Sequence, residues 1–218
     1  MQKIDKSRIL SNDYKKWLDS FGDEHPKYNS SSNKYYNDIK MSLLNCQNGL
    51  CAYTEELLCE DKFITDTNWD DDKYIRELTK TETNEIQGDL EHFDESLKTN
   101  QGWLWDNFFV VNTYVNCRIK LSKSIRGIMK PDLDEYDPNK YLSFNYDTGM
   151  FSPNIDLEKT EQEDVEYMIG ILGLNCIHIK RKKQLKDWLD RYELGLPVDD
   201  FQFVTAWNMT VKNLSSSK

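Results

Sequence analysis

Apolar residues along the chain fall partly into helical stripes and partly into short extended runs. From Lys34, Tyr35, Ile39, Leu43 and Cys46 share one helical face, and Asn48-Gly49 should end that helix. Residues 50–54 follow as a short strand or turn. Residues 66–87 are polar and acidic, and Tyr74, Leu78 and little else could anchor a helix there. Gly88 breaks the chain, and Leu90-Glu91-His92-Phe93 reads as a short extended segment. Residues 96–102 read as a polar loop, and Phe108-Phe109-Val110-Val111 is a compact run of strand formers. Thr113 can cap a helix carrying Val115, Ile119 and Ser122 on one face. Residues 88–128 therefore read strand, loop, strand, helix. Beyond Pro131, residues 141–146, the turn Asp147-Thr148-Gly149 and then Met150-Phe151 predict a hairpin. Val165, Met168, Ile169 and Leu172 mark a helix stopped near Gly173. Residues 176–192 form another, with Leu185, Trp188, Leu189 and Tyr192 inward and Gly195 and Pro197 closing it. A last helix is expected over 200–211. The pattern gives an α+β fold, mainly helical.

Composition narrows the class. At 218 residues and 25.9 kDa the chain can bury a core without staples, as one domain spanning 1–218. No stretch of 18 apolar residues exists, and the opening MQKIDKSRIL lacks the apolar centre of a secretion leader; a cytoplasmic protein is expected, with no membrane partner. The five cysteines are odd in number and contain no CxxC pair, which predicts free thiols. A net charge of −10 argues against a broad DNA-coating surface, because neutralising phosphates needs clustered cations. Base does gather locally, in Arg118, Lys120, Lys123, Arg126 and Lys130, and again in Lys180-Arg181-Lys182-Lys183. The second run reads as a solvated helix face or a partner site. Trp103 and Trp105 read as packing residues, and the run Asp70-Asp71-Asp72 as a solvated loop.

Candidate chemistry centres on one histidine. His25, beside Pro26, is expected to be exposed, and His178 sits in a basic helix. His92 lies between apolar neighbours and beside carboxylates in Gly88-Asp89-Leu90-Glu91-His92-Phe93-Asp94. A histidine next to an acid is by itself more often packed or solvated than reactive. The downstream asparagines change the weighing: Asn107, and then Asn116 at a helix start. Strand, loop, strand and helix can gather a carboxylate, an imidazole and an amide around one phosphate. Imidazole can take the proton of an attacking water. Hard oxygen donors suit Mg²⁺ or Mn²⁺, and Glu91 and Asn116 supply them. Asn107, or a backbone carbonyl in its loop, is placed to orient the imidazole.

Four segments together resemble the HNH endonucleases: Gly49-Leu50-Cys51-Ala52-Tyr53-Thr54-Glu55, Leu90-Glu91-His92-Phe93, Trp105-Asp106-Asn107-Phe108-Phe109 and Asn116-Cys117-Arg118-Ile119-Lys120. The likeness is greatest to the PtuB nuclease subunits of Septu and retron-associated anti-phage systems. It extends to the opening Met1-Gln2-Lys3-Ile4-Asp5-Lys6 and to Leu172-Gly173-Leu174-Asn175 with Arg181. The resemblance implies a ββα-metal core at about 88–128, embedded in helical flanks 1–87 and 129–218. It implies His92 as general base, Glu91 and Asn116 as ligands of Mg²⁺ or Mn²⁺, and Asn107 in the middle, orienting position. Arg118 or Lys120 would touch phosphate. The implied substrate is DNA, with RNA not separated from it, and the implied partner is an ATPase of the PtuA type. Family members often carry two zinc-binding cysteine pairs. Here Cys51 is followed by Thr54, and Asn112 and Val115 stand in the second segment, so no structural zinc is expected. Aromatic packing by Tyr53, Trp105, Phe108 and Phe109 would replace it. The competing readings are a non-catalytic interaction subunit and a stand-alone RNase or toxin nuclease of the same fold.

Overall fold

The computed structural model describes residues 1–7, 11–22, 24–29, 33–199 and 201–216. The chain runs through α1 (Asn12–Asp19), α2 (Tyr36–Cys46), α3 (Lys80–Glu85), β1 (Asp89–His92) and β2 (Phe108–Val111). It continues through α4 (Pro138–Tyr141), β3 (Leu142–Asn145), β4 (Met150–Pro153), α5 (Lys159–Ile171), α6 (His178–Glu193) and α7 (Val204–Ser216). Among the described residues the strands form two antiparallel pairs, β1–β2 and β3–β4, so the class is α+β. No helix among them is long and apolar enough to cross a membrane.

The run Phe108–Val111 has no polar alternation, and its four residues are all fully buried. A strand covered on both faces needs that continuous apolar pattern. β1 pairs with it so that Glu91 faces Phe109 and His92 faces Phe108 across the ladder. The outer edge of β2 is closed by a side chain. The Gln47 carboxamide donates to the Val110 carbonyl at 2.8 Å and accepts from the Val110 N–H at 2.9 Å. Ala52 N–H reaches the same carbonyl at 3.1 Å.

Gly49 ends α2 and pins the following segment. Its N–H donates to Leu44 O at 2.8 Å, and its carbonyl accepts from the N–H groups of Leu58 and Cys59. Its φ is +73°, and a Cβ there would lie 2.1 Å from the Cys59 carbonyl oxygen. Backbone strain and this clash both act against a side chain. Gly49→Ala is therefore expected to lose about 2–4 kcal/mol of stability in urea unfolding. A loss below about 0.5 kcal/mol, the range of an ordinary surface change, would show that the 49–59 segment shifts at no cost.

Cys51 joins the two segments in which the sequence lacks paired cysteines. Its Sγ accepts from Thr54 N–H at 3.5 Å and from Asn112 N–H at 3.2 Å. Burial pushes this thiol up from its usual range, so the neutral form is favoured. The strap over the other end of β2 is Lys6. Its Nζ donates to Trp105 O and Phe108 O, each at 2.9 Å, and pairs with Asp132 at 3.1 Å. Burial lowers the Lys6 ammonium to about 8.

Several expectations are corrected. The helix after β2 does not run to 128. It is a π-helical segment, Val115–Lys120, closed by Leu121 N–H on Asn116 O at 3.2 Å. Leu121 then takes a φ of +51°, which a right-handed helix cannot continue. In α6, Leu185 and Trp188 are buried, but Tyr192 is 45% exposed, with its ring edge-on to the buried Trp207 at 5.9 Å between centroids. Arg181 is not part of a solvated basic face. It is turned inward, with its guanidinium 4.6 Å from the Phe151 ring centre, whereas Lys180, Lys182 and Lys183 are exposed. The last helix begins at Val204; Asp200 lies outside the described residues. Trp103 and Trp105 are buried packing residues, and Asp70, Asp71 and Asp72 are exposed.

Candidate functional site

Neighbours on a strand project to opposite faces, so Glu91 and His92 leave β1 in different directions. Both nonetheless border one small cavity of about 240 Å³, which Asn116 and Leu121 line from the π-helical side and Tyr28, Glu95 and Lys98 from the other. The strand, loop, strand and helix thus bring Glu91, His92 and Asn116 together.

The His92 ring is 4% exposed and wedged between aromatic neighbours. The Tyr28 ring meets it edge-on with centroids 4.5 Å apart, and the Phe108 ring centre is 4.7 Å away. Its Nε2 lies 2.9 Å from the Gly102 carbonyl oxygen. A carbonyl only accepts, so Nε2 carries the hydrogen and Nδ1 keeps the lone pair. Burial lowers the imidazole's proton affinity, outweighing the Gly102 carbonyl and Glu95, which act in the opposite sense. The neutral form, in which an imidazole accepts a proton, is therefore favoured.

Asn107 spends its carboxamide on Asp94 rather than on the ring. Its Oδ1 accepts from Asp94 N–H at 2.8 Å, and its Nδ2 donates to Asp94 O at 2.9 Å. The Phe93 N–H donates to the Asn107 carbonyl at 2.8 Å. Asn107 is buried and clamps the turn that follows His92, so it positions the histidine through the backbone. The direct partner of the ring is the Gly102 carbonyl in the loop between β1 and β2.

Glu91 is closed off. Its Oε2 accepts from the Tyr53 hydroxyl, and its Oε1 is paired with the Lys120 ammonium. Lys120 Nζ also donates to the His92 carbonyl at 2.8 Å. Both side chains are buried, Lys120 completely. Burial pushes the Glu91 carboxyl up to about 7, although Lys120 and Tyr53 both pull it down. Lys120 is therefore a buried counter-ion here, not a phosphate contact, because its ammonium faces away from solvent into the β1 backbone. Arg118 is exposed on the π-helical segment. A divalent ion shared by Glu91 and Asn116 would have to compete with Tyr53 and Lys120, which already engage both Glu91 oxygens. Among the described residues, no three His, Cys, Asp or Glu side chains cluster as a metal set.

Glu95 is the residue that sequence reasoning missed. Asp94 caps a short 3-10 turn, Glu95–Lys98, by accepting from Ser96 N–H at 2.9 Å. That turn folds Glu95 back over the imidazole, with Oε2 3.9 Å from Nδ1. Its other oxygen is paired with Lys98 at 2.8 Å. The available sequence signal was Asp94-Glu95-Ser96, in which an aspartate two residues before a serine favours a tight turn.

A larger groove of about 860 Å³ adjoins the cavity and shares Tyr28, Glu95 and Lys98 with it. Lys27, Lys98 and Lys123 line it together with Ser96 and Ser122. Asp94 and Glu95 line it as well, and Lys98 is paired with Glu95, so the three lysines leave the groove only mildly positive. The remaining histidines are elsewhere: His25 is half-buried, not exposed, with Nδ1 accepting from Trp103 N–H at 3.3 Å, and His178 Nδ1 lies 2.9 Å from Asn175 O. Set against protein-family models and against curated proteins, the chain matches none of them.

Proposed function

We propose that this chain is a phosphodiester hydrolase of the HNH type, cutting DNA as the nuclease of an anti-phage complex with a partner ATPase. The observation that supports it most is the His92 site. His92, fixed through Nε2 by a carbonyl, lines a cavity together with Asn116, beside a groove that carries Lys27, Lys98 and Lys123 along with Asp94 and Glu95. A phosphodiester in the groove would present its phosphorus to a water activated by His92. The resemblance of Leu90-Glu91-His92-Phe93, Asn107 and Asn116 to HNH nucleases points to the same reaction. The net charge of −10 favours a subunit that borrows its DNA affinity from a partner.

A second reading, an interaction subunit without chemistry, draws on the engaged Glu91 carboxylate. One experiment separates them. Plasmid DNA and RNA are incubated with the protein in Mg²⁺, in Mn²⁺ and in EDTA, alone and with the ATPase encoded beside it. Nicking or linearisation of DNA is the expected result, and the EDTA lane reads whether a divalent ion is required. Cleavage of RNA alone would favour an RNase of the same fold. Intact DNA and RNA in every lane would leave the interaction subunit standing.

A further inference from the structure

We infer that Glu95 is a catalytic carboxylate of this site, its Oε2 and His92 Nδ1 together gripping the attacking water. The inference rests on the hydrolase reading. Its ground is a pairing of acceptors. His92 Nδ1 holds a lone pair, because its hydrogen is on the Nε2 side, at the Gly102 carbonyl. Glu95 Oε2 faces it at 3.9 Å, is shielded from solvent and has no hydrogen-bond partner in the protein. Two acceptors at that separation are too far apart for a direct hydrogen bond, and neither supplies a hydrogen. A molecule donating two hydrogens satisfies both, and water does so with legs of about 2.8 Å. Buried polar atoms without partners are uncommon, and one that faces a candidate base is explained by what the pair binds. Lys98 holds the other Glu95 oxygen at 2.8 Å, and Asp94 fixes the turn, so the carboxylate is aimed before substrate arrives.

The step then balances simply. One O–H bond of the water breaks as its proton passes to Nδ1, while the second O–H stays intact and donates its hydrogen bond to Glu95 Oε2. The water oxygen forms the new bond to phosphorus, and the ester bond to the sugar oxygen breaks. The leaving alkoxide takes a proton from solvent, and the imidazolium later returns its own to solvent. Glu95 ends as it began, having oriented the oxygen lone pair toward phosphorus and opposed the charge that develops on the ring.

The test is a double-mutant cycle with Glu95→Gln and His92→Asn, together with the ¹⁵N shifts of the His92 ring. Glu95→Gln is expected to lower kcat by roughly 10- to 100-fold with KM for an oligonucleotide within about twofold. In the His92→Asn background it should add almost nothing, because both groups act on the same water. Full additivity, or a Glu95→Gln rate within about twofold of wild type, would overturn the proposal. The ring shifts read the pair even if the wild-type protein cuts nothing, an outcome that would remove the hydrolase reading instead. A bare Nδ1 whose shift moves in Glu95→Gln supports the shared water. A hydrogen on Nδ1, or a shift indifferent to Glu95, refutes it.

Discussion

His92→Asn is expected to slow phosphodiester cleavage by roughly 10²- to 10⁴-fold, the contribution of a positioned general base. Asparagine is the informative replacement. It is shorter than the imidazole, yet its amide can still donate toward the Gly102 carbonyl that now holds Nε2. The ring also fills space between Tyr28 and Phe108, so alanine would mix a packing defect with the chemical one. Single-turnover cleavage of a labelled duplex, with a thermal melt alongside, measures the two effects separately. A variant that cuts at the wild-type rate would move the base away from His92. Neither other histidine is among the residues that line the cavity, and each already uses Nδ1 on a backbone group, His25 at Trp103 N–H and His178 at Asn175 O.

Lys120→Met should be among the most damaging single changes to stability, costing about 3–5 kcal/mol, or on the order of 10 °C in Tm. Removing one member of a buried ion pair leaves the other without a counter-charge. Here Glu91 would keep only the Tyr53 hydroxyl. The loss should depend on pH in a defined sense. Burial holds the Glu91 carboxyl at about 7 in the folded protein, against an ordinary 4.5. A carboxyl raised in this way favours the folded state below the unfolded value, and the benefit disappears as pH climbs through the folded one. Lys120 opposes that rise, so the variant's carboxyl sits higher still. Its deficit should be greatest near pH 8 and shrink toward about pH 5, where Glu91 takes up a proton. Urea unfolding at the two pH values checks this, and Lys120→Met combined with Glu91→Gln should recover much of the loss. An equal deficit at both pH values would mean that Glu91 is not the group left exposed.

The parts of the site that depend on spacing and apolar runs were legible in the sequence. Phe108–Val111 read as a run of strand formers and is a strand, and the order of segments brought His92 and Asn116 to one cavity. What depends on local geometry was hidden. Lys120 reads as a surface cation on a helix of 3.6 residues per turn, and the wider π-helical turn carries it inward to Glu91. Glu95 depends on a capped turn that reverses the chain within three residues of His92. Arg181 was obscured by its basic neighbours, although its spacing to Leu185 and Trp188 already put it on their buried face. The HNH likeness was read from the same segments, and the protein's activity is the measurement that bears on it.

The Gln47 carboxamide on Val110 has a consequence for how this molecule meets other chains. A bare strand edge invites a neighbour to add its own backbone, in productive complexes and in aggregates alike. Along β2 that invitation is withdrawn, because Gln47 and Ala52 already bind both polar groups of Val110. The sheet beneath the site therefore cannot be lengthened on that side by a partner's strand. On that side a partner meets only side chains presented by helices and loops, whose contacts can be released without unravelling the ladder that holds His92.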